Sequence, residues 1–135
     1  MKKVAYINQK IDSFNSKIYV PGDKSLSIRW ILMASQAVGT SIAYNLLRSE
    51  DVFSTLKTIK KLGKNFKINK KNCKIYGKGL NGFRFKNNTK INAGNSGTLA
   101  RLIFGLLVKS KNQIILKGDK SLSKRDFSRV IKPMR

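Results

Sequence analysis

The sequence predicts a mixed α/β (α+β) fold, ordered β-α-β-α-β-β and then a loop, a helix and a strand. Three observations point there. Short alternating or β-branched runs give way repeatedly to longer runs with apolar residues at helical spacing. Glycines stand at the changes, Gly39, Gly63 and Gly118 among them. The chain has 135 residues, 41% of them hydrophobic, which suits one domain with a modest core.

Taken in order, Lys3–Ile7 and Lys17–Val20 read as strands, with the turn-forming run Asp12–Ser16 between them. Pro21-Gly22 then turns the chain into a helix over Ser25–Val38 that Gly39 closes. This helix is apolar nearly all round after Trp30, so burial is expected. Thr40–Asn45 reads as a strand. Ser49 is the expected N-cap of a second helix, with Glu50 and Asp51 at its positive end and Lys57, Lys60 and Lys61 toward the other. Val52, Leu56 and Ile59 form its apolar stripe, and Gly63 ends it. Asn65–Asn69 and Cys73–Tyr76 make a hairpin-like pair. Gly77–Asn88 is a loop in which alternating Phe83 and Phe85 suggest a short strand. Ala93–Thr98 is a small-residue loop feeding an apolar helix up to Val108, and Ile114–Leu116 is the last strand.

Composition narrows the chemistry. Lys and Arg total 29 against 6 acids, a formal charge of +23. Such a chain attracts polyanions, and a small basic nucleic-acid-binding protein is one reading. Many lysines sit beside asparagine, as in Lys70-Lys71-Asn72 and Lys86-Asn87-Asn88, which also reads as lysine filling solvated positions. On that reading nucleic acid is met non-specifically, through charge. A single cysteine, Cys73, rules out an internal disulfide and fits a reducing cytoplasm. With no histidine, Ser-His catalysis is excluded and no transition-metal site is expected. The first residues carry no signal-peptide pattern, and no apolar stretch is long enough for a membrane helix.

The chain is organised around Pro21-Gly22-Asp23-Lys24-Ser25-Leu26-Ser27-Ile28-Arg29. Here a cation and two hydroxyls stand at the start of a helix, whose free amides and dipole favour an anion. Arg29, one turn on, offers a planar fork for phosphate or carboxylate. The same residues also read as a capping serine and two solvated cations. A second stretch weighs against that reading. Gly118-Asp119-Lys120-Ser121-Leu122-Ser123 repeats Gly22 to Ser27 letter for letter, and Arg125 falls where Arg29 falls. A third turn, Gly94-Asn95-Ser96-Gly97-Thr98, opens backbone to close approach at another helix start.

In this order and spacing, the three motifs resemble the enolpyruvyl transferase family, and within it the EPSP synthases. The likeness runs from about Lys17 to Arg135 and takes in Asn45-Leu46-Leu47 to Asp51. It implies an incomplete version of the family's inside-out α/β barrel, whose domains are built from β-α-β-α-β-β units. Residues 1–20 would be leading strands that in the family join the other domain, and residues 21–135 a partial first domain. Asp126 stands where the family usually has proline, and Asn92-Ala93 replaces the usual acidic residue and cysteine.

The resemblance implies transfer of the enolpyruvyl group of phosphoenolpyruvate to shikimate 3-phosphate with release of phosphate, without cofactor or metal, in the route to aromatic amino acids. Lys24 would touch both substrates, Ser25 and Arg29 would hold shikimate 3-phosphate, and Asn95, Gly97 and Arg125 would hold phosphoenolpyruvate. Arg101 would act more as a brace. The family's general acid and base lie in a later portion, so the chain is expected to bind weakly alone and not to turn over. That C-terminal portion as a separate chain is the partner implied. The sister reaction on a UDP-sugar shares the fold, but Lys24-Ser25-x-Ser27-x-Arg29 favours phosphorylated shikimate.

Overall fold

The computed structural model describes residues 4–134. Residues 4–22 carry no helix or strand, and Tyr6, Ile7, Ile18 and Tyr19 stand in solvent. The strands expected at Lys3–Ile7 and Lys17–Val20 are therefore not formed, Lys3 itself lying outside the described residues. Apolar alternation suits a strand, but a strand also needs a neighbour to take its amides and carbonyls. None pairs with this segment among the described residues.

Helix α1 (Lys24–Gln36) begins one residue earlier than expected, because its cap is Asp23 and not a serine. Asp23 Oδ1 accepts from the Leu26 amide at 2.7 Å. It ends at Gln36, with the Ala37 amide donating back to Met33 and Ala34. Val38, expected as the end of the helix, opens strand β1 (Val38–Tyr44) instead. Gly39, with φ +88°, is an irregularity within that strand and not the helix stop. Ile28, Ile31 and Leu32 are buried while Met33 is exposed, so α1 is one-sided where burial all round was expected.

Helix α2 (Glu50–Lys61) follows, with Val52, Leu56 and Ile59 fully enclosed as their spacing predicts. Ser49 holds the N-cap position without a side-chain bond. Gly63, at φ +85°, releases the chain into strand β2 (Asn65–Ile68), which pairs with β3 (Asn72–Lys78) in the expected hairpin. β1 lies on the other edge of β3, giving an antiparallel sheet in the order β1-β3-β2. Alternation along β3 turns Cys73 and Ile75 inward to α1 and α2.

Phe83 and Phe85 form no strand. The Arg84 amide donates to the Leu62 carbonyl at 2.9 Å, pinning the loop to the end of α2 while both rings pack on the core. A four-residue strand not foreseen in the sequence, β4 (Thr89–Asn92), comes next. Helix α3 (Gly97–Leu107) then connects it to β5 (Ile114–Lys117), and β4 and β5 pair in parallel. This is the crossover connection a parallel pair requires. A 3₁₀ turn (Leu122–Lys124), a short helix α4 (Ser128–Ile131) and a last 3₁₀ turn finish the described chain. The two sheets are separate and close no barrel among the described residues. Nor is any described helix long and apolar enough to cross a membrane.

Candidate functional site

Three helix starts and one turn face the same space. Lys24 and Arg29 reach it from α1, Asp51 from α2, Gly97, Thr98 and Arg101 from α3, and Arg125 from the turn after β5. With Asn95 and Leu102 they line a cleft of about 340 Å³. Four cations face one carboxylate there among the described residues. Amides at helix starts add positive potential without adding mobile charge.

Lys24 is half free. Its Nζ stands 3.2 Å from Asp51 Oδ2, and the lysine side chain keeps 53% exposure against 16% for the acid. Asp51 thus does more than begin α2, the role its position suggests. A binding role is the lesser sequence reading of Asp51; its pairing with Lys24 is not visible there, because the contact spans two helices.

The first hexapeptide sets Lys24 in place. Asp23 caps the helix, and Ser27 Oγ donates to the Asp23 carbonyl at 2.6 Å while accepting from the Leu47 amide at 3.0 Å. Ser27 is therefore committed to the fold and binds α1 to the segment before α2. Gly22 is needed because a Cβ there would collide with the Asn45 carbonyl. Ser25, on the first turn and half-buried, is not among the cleft-lining residues.

The repeat makes the same local structure. Asp119 Oδ1 accepts from the Leu122 amide at 2.7 Å, and the Ser123 amide donates to the Asp119 carbonyl at 2.9 Å, as Leu26 and Ser27 do with Asp23. Here the helix stops after one turn, and the chain emerges at Arg125. Arg125 Nη2 donates to Asn95 Oδ1 at 2.8 Å, and Asn95 Nδ2 donates to Asp119 Oδ2 at 2.7 Å. Those bonds hold the Asp119 carboxyl below its usual range. The Leu122 amide has the largest effect; desolvation, next in size, opposes it, and Asn95, Ser121 and the Arg125 charge add to the lowering.

Ser96 caps α3, accepting from the Leu99 amide at 3.2 Å, and leaves the Gly97 end open to the cleft. Asn92 Oδ1 accepts from the Gly94 amide at 2.9 Å, so the replacement at this position still builds the turn. Arg101 lies 5.9 Å from the Phe127 ring centroid and donates to the Asp126 carbonyl at 3.4 Å, a bracing geometry. Asp126 takes the amide and hydroxyl of Ser128, both at 2.7 Å. It starts α4 through these bonds, so the change from proline leaves Arg125 in the cleft. Both bonds also lower the Asp126 carboxyl below its ordinary range, the hydroxyl most.

The sequence brings Lys24, Arg29, Asn95, Gly97 and Arg125 forward, and the fold gathers all five. The sequence gives Asp51 chiefly as a first-turn acid with binding as the lesser reading, shows Thr98 only within its turn, and marks neither Leu102 as a lining residue nor Asp119 as a support.

A family model described as EPSP synthase (3-phosphoshikimate 1-carboxyvinyltransferase) matches residues 8–135. The chain is 43% identical over 129 residues to the 3-phosphoshikimate 1-carboxyvinyltransferase of Ruthia magnifica subsp. Calyptogena magnifica, across 96% of this chain and 29% of that protein. Against the enzyme of the same name from Alkaliphilus metalliredigens it is 40% identical, across 96% and 30%. The solved structure of EPSP synthase from Acinetobacter baumannii aligns with a TM-score of 0.80 at 37% identity, covering 87% of this chain and 27% of that one. The chain thus spans less than a third of the length of these relatives, and its matched portion carries the three turns in the order given above: it belongs to the EPSP synthase family.

Proposed function

We propose that this chain forms the shikimate 3-phosphate and phosphoenolpyruvate binding portion of a 3-phosphoshikimate 1-carboxyvinyltransferase. The observation that carries the reading is one cleft, lined by Lys24, Arg29, Asn95, Gly97 and Arg125 and cationic on balance. Two anions repel each other, and joining them needs fixed opposite charge and donors on both. Lys24, at the centre of the motif, contacts both substrates once it leaves Asp51. Arg29 and Ser25 take the phosphate of shikimate 3-phosphate. The Gly97 amide, Asn95 and Arg125 take phosphoenolpyruvate.

The reaction also needs a base for the attacking hydroxyl and an acid for the methylene carbon. Asp51, the carboxylate in the cleft, is engaged by Lys24. On this reading the proton-transferring groups come from the remainder of the family's length, which acts with this chain in the cytoplasm. Residues 4–20 are the strands that complete a ladder in the other domain, which accounts for their exposed apolar side chains. The chain alone binds both anions weakly and does not turn over.

The test is a titration of the ¹⁵N-labelled chain with each substrate. Shifts centred on the amides of Lys24, Gly97 and Thr98, lost in Lys24→Met, are expected. Shifts spread evenly over the surface lysines, unchanged in that variant, would overturn the reading. So would full turnover by the chain alone in a phosphate-release assay, as regards the missing acid and base.

A further inference from the structure

The twin hexapeptides differ in what their aspartates do. Asp23 uses Oδ1 to cap α1, and its other oxygen holds no hydrogen bond among the described residues. Asp119 uses both oxygens, Oδ1 for the Leu122 amide and Oδ2 for Asn95 Nδ2. Asn95 in turn presents Oδ1 to Arg125. The direction of this chain is forced. A guanidinium can only donate and an ionised carboxylate can only accept, so the amide between them has one permitted orientation. The Asp119 amide, donating to the Gly94 carbonyl at 2.8 Å, ties the same two loops together through backbone.

We propose that Asp119 is the positioning residue that fixes the Arg125 guanidinium in the cleft, acting through the Asn95 side chain. A carboxylate is required because two acceptors are in use. In Asp119→Asn one oxygen remains. It keeps the short, fixed bond to the Leu122 backbone, and the new NH₂ faces Asn95 Nδ2. Asn95 then turns over, and its own NH₂ faces Arg125, donor against donor. In Asp119→Ala both bonds are lost, so the turn loses its hold on Leu122 and Asn95 loses its anchor together. The Asn variant, which keeps the turn and loses the acceptor for Asn95, therefore separates holding the arginine from holding the turn. The bearing on phosphoenolpyruvate rests on the function proposed above.

The test is ¹⁵N–¹H NMR of the arginine guanidinium groups in the full chain, beside thermal unfolding. Distinct, slowly exchanging Arg125 Nη signals are expected in the wild type. In Asp119→Asn they should merge with those of the mobile arginines while Tm stays close to wild type. In Asp119→Ala they should merge as well, and Tm should fall with the lost turn bond. Asn95→Ala, which leaves the cap intact, should release Arg125 as well. Arg125 signals unchanged in both Asp119→Asn and Asn95→Ala, or a loss that simply follows Tm across the set, would overturn the proposal. A phosphoenolpyruvate titration then reads the consequence, about a tenfold weakening in Asp119→Asn for one charge-assisted contact. A wild-type chain that takes up no phosphoenolpyruvate counts against the proposed function and leaves the Arg125 result standing.

Discussion

Gly97 lies directly under Arg125: a Cβ at residue 97 would stand 2.7 Å from the arginine Nη1. The obstacle is the far end of a flexible side chain, so the fold can absorb the change while the site cannot. Gly97→Ala is expected to unfold within about 1 kcal/mol of wild type, since Ala is also the better helix former. It should bind phosphoenolpyruvate about 10- to 100-fold more weakly, the loss of roughly one charge-assisted contact. Calorimetric titration beside urea unfolding reads both. An alanine variant that binds as wild type would place Arg125 outside the site.

Lys24 and Asp51 make the next case. Their contact is 3.2 Å long, but the lysine is more than half exposed, so the pair contributes about 0–1 kcal/mol to stability. Lys24→Met should leave Tm nearly unchanged and abolish measurable binding of shikimate 3-phosphate. Asp51→Asn removes the partner that Lys24 must leave to reach an anion. It should keep or strengthen binding of inorganic phosphate at low salt, and the gain should fade as ionic strength rises. If Asp51→Asn weakens phosphate binding instead, the carboxylate orients Lys24 and does not compete for it.

Much of this was legible in the chain itself, and what escaped has physical reasons. Val52, Leu56 and Ile59 recur on one face of a helix, and Cys73 and Ile75 alternate along a strand, so both burials follow from spacing alone. The cleft announced itself through a hexapeptide used twice. The segment before Pro21 misled because alternation marks a residue pattern fit for a sheet, and pairing also needs a neighbouring strand, which none of the described residues supplies. β4 escaped because four residues give too little alternation to notice, and its partner, β5, lies beyond α3. Asp51 and Asp119 escaped for a common reason: their roles depend on side chains from other segments, Lys24 and Asn95.

The repeated motif gives a third expectation. Asp23 caps a 13-residue helix, whereas Asp119 precedes a single 3₁₀ turn and accepts from its first amide, that of Leu122. Asp23→Ala should therefore cost about 1 kcal/mol, within the usual range for losing an N-cap. Asp23→Asn should cost almost nothing, because only one of the two carboxylate oxygens accepts a bond here. Urea midpoints of the two variants check this. An Asn variant as damaged as the Ala variant would mean that the negative charge at the start of α1, and not the cap bond, is what matters.

Lys64 makes the strongest stability prediction. Its side chain is fully enclosed, and its Nζ has no hydrogen-bond partner among the described residues. The ammonium sits 5.1 Å from the centroid of the Phe83 ring, with Gly82 so near that a Cβ there would approach it to 2.5 Å. Burial pushes its pKa down from 10.5, and the charges of Lys78 and Arg84 push the same way. The unfolded chain then holds this proton more tightly than the folded one. Stability must accordingly rise with pH between the lowered folded value and the ordinary lysine range, and below that interval the folded state bears the full cost. Lys64→Met keeps the length and removes the charge. It should stabilise the fold at neutral pH by about 1–3 kcal/mol, the cost of a buried unpaired polar group. The gain should shrink toward pH 10. Urea unfolding of both proteins at pH 7 and pH 10 measures the difference. A methionine variant less stable than wild type at pH 7 would show that the contact with Phe83 outweighs the cost of burying the charge.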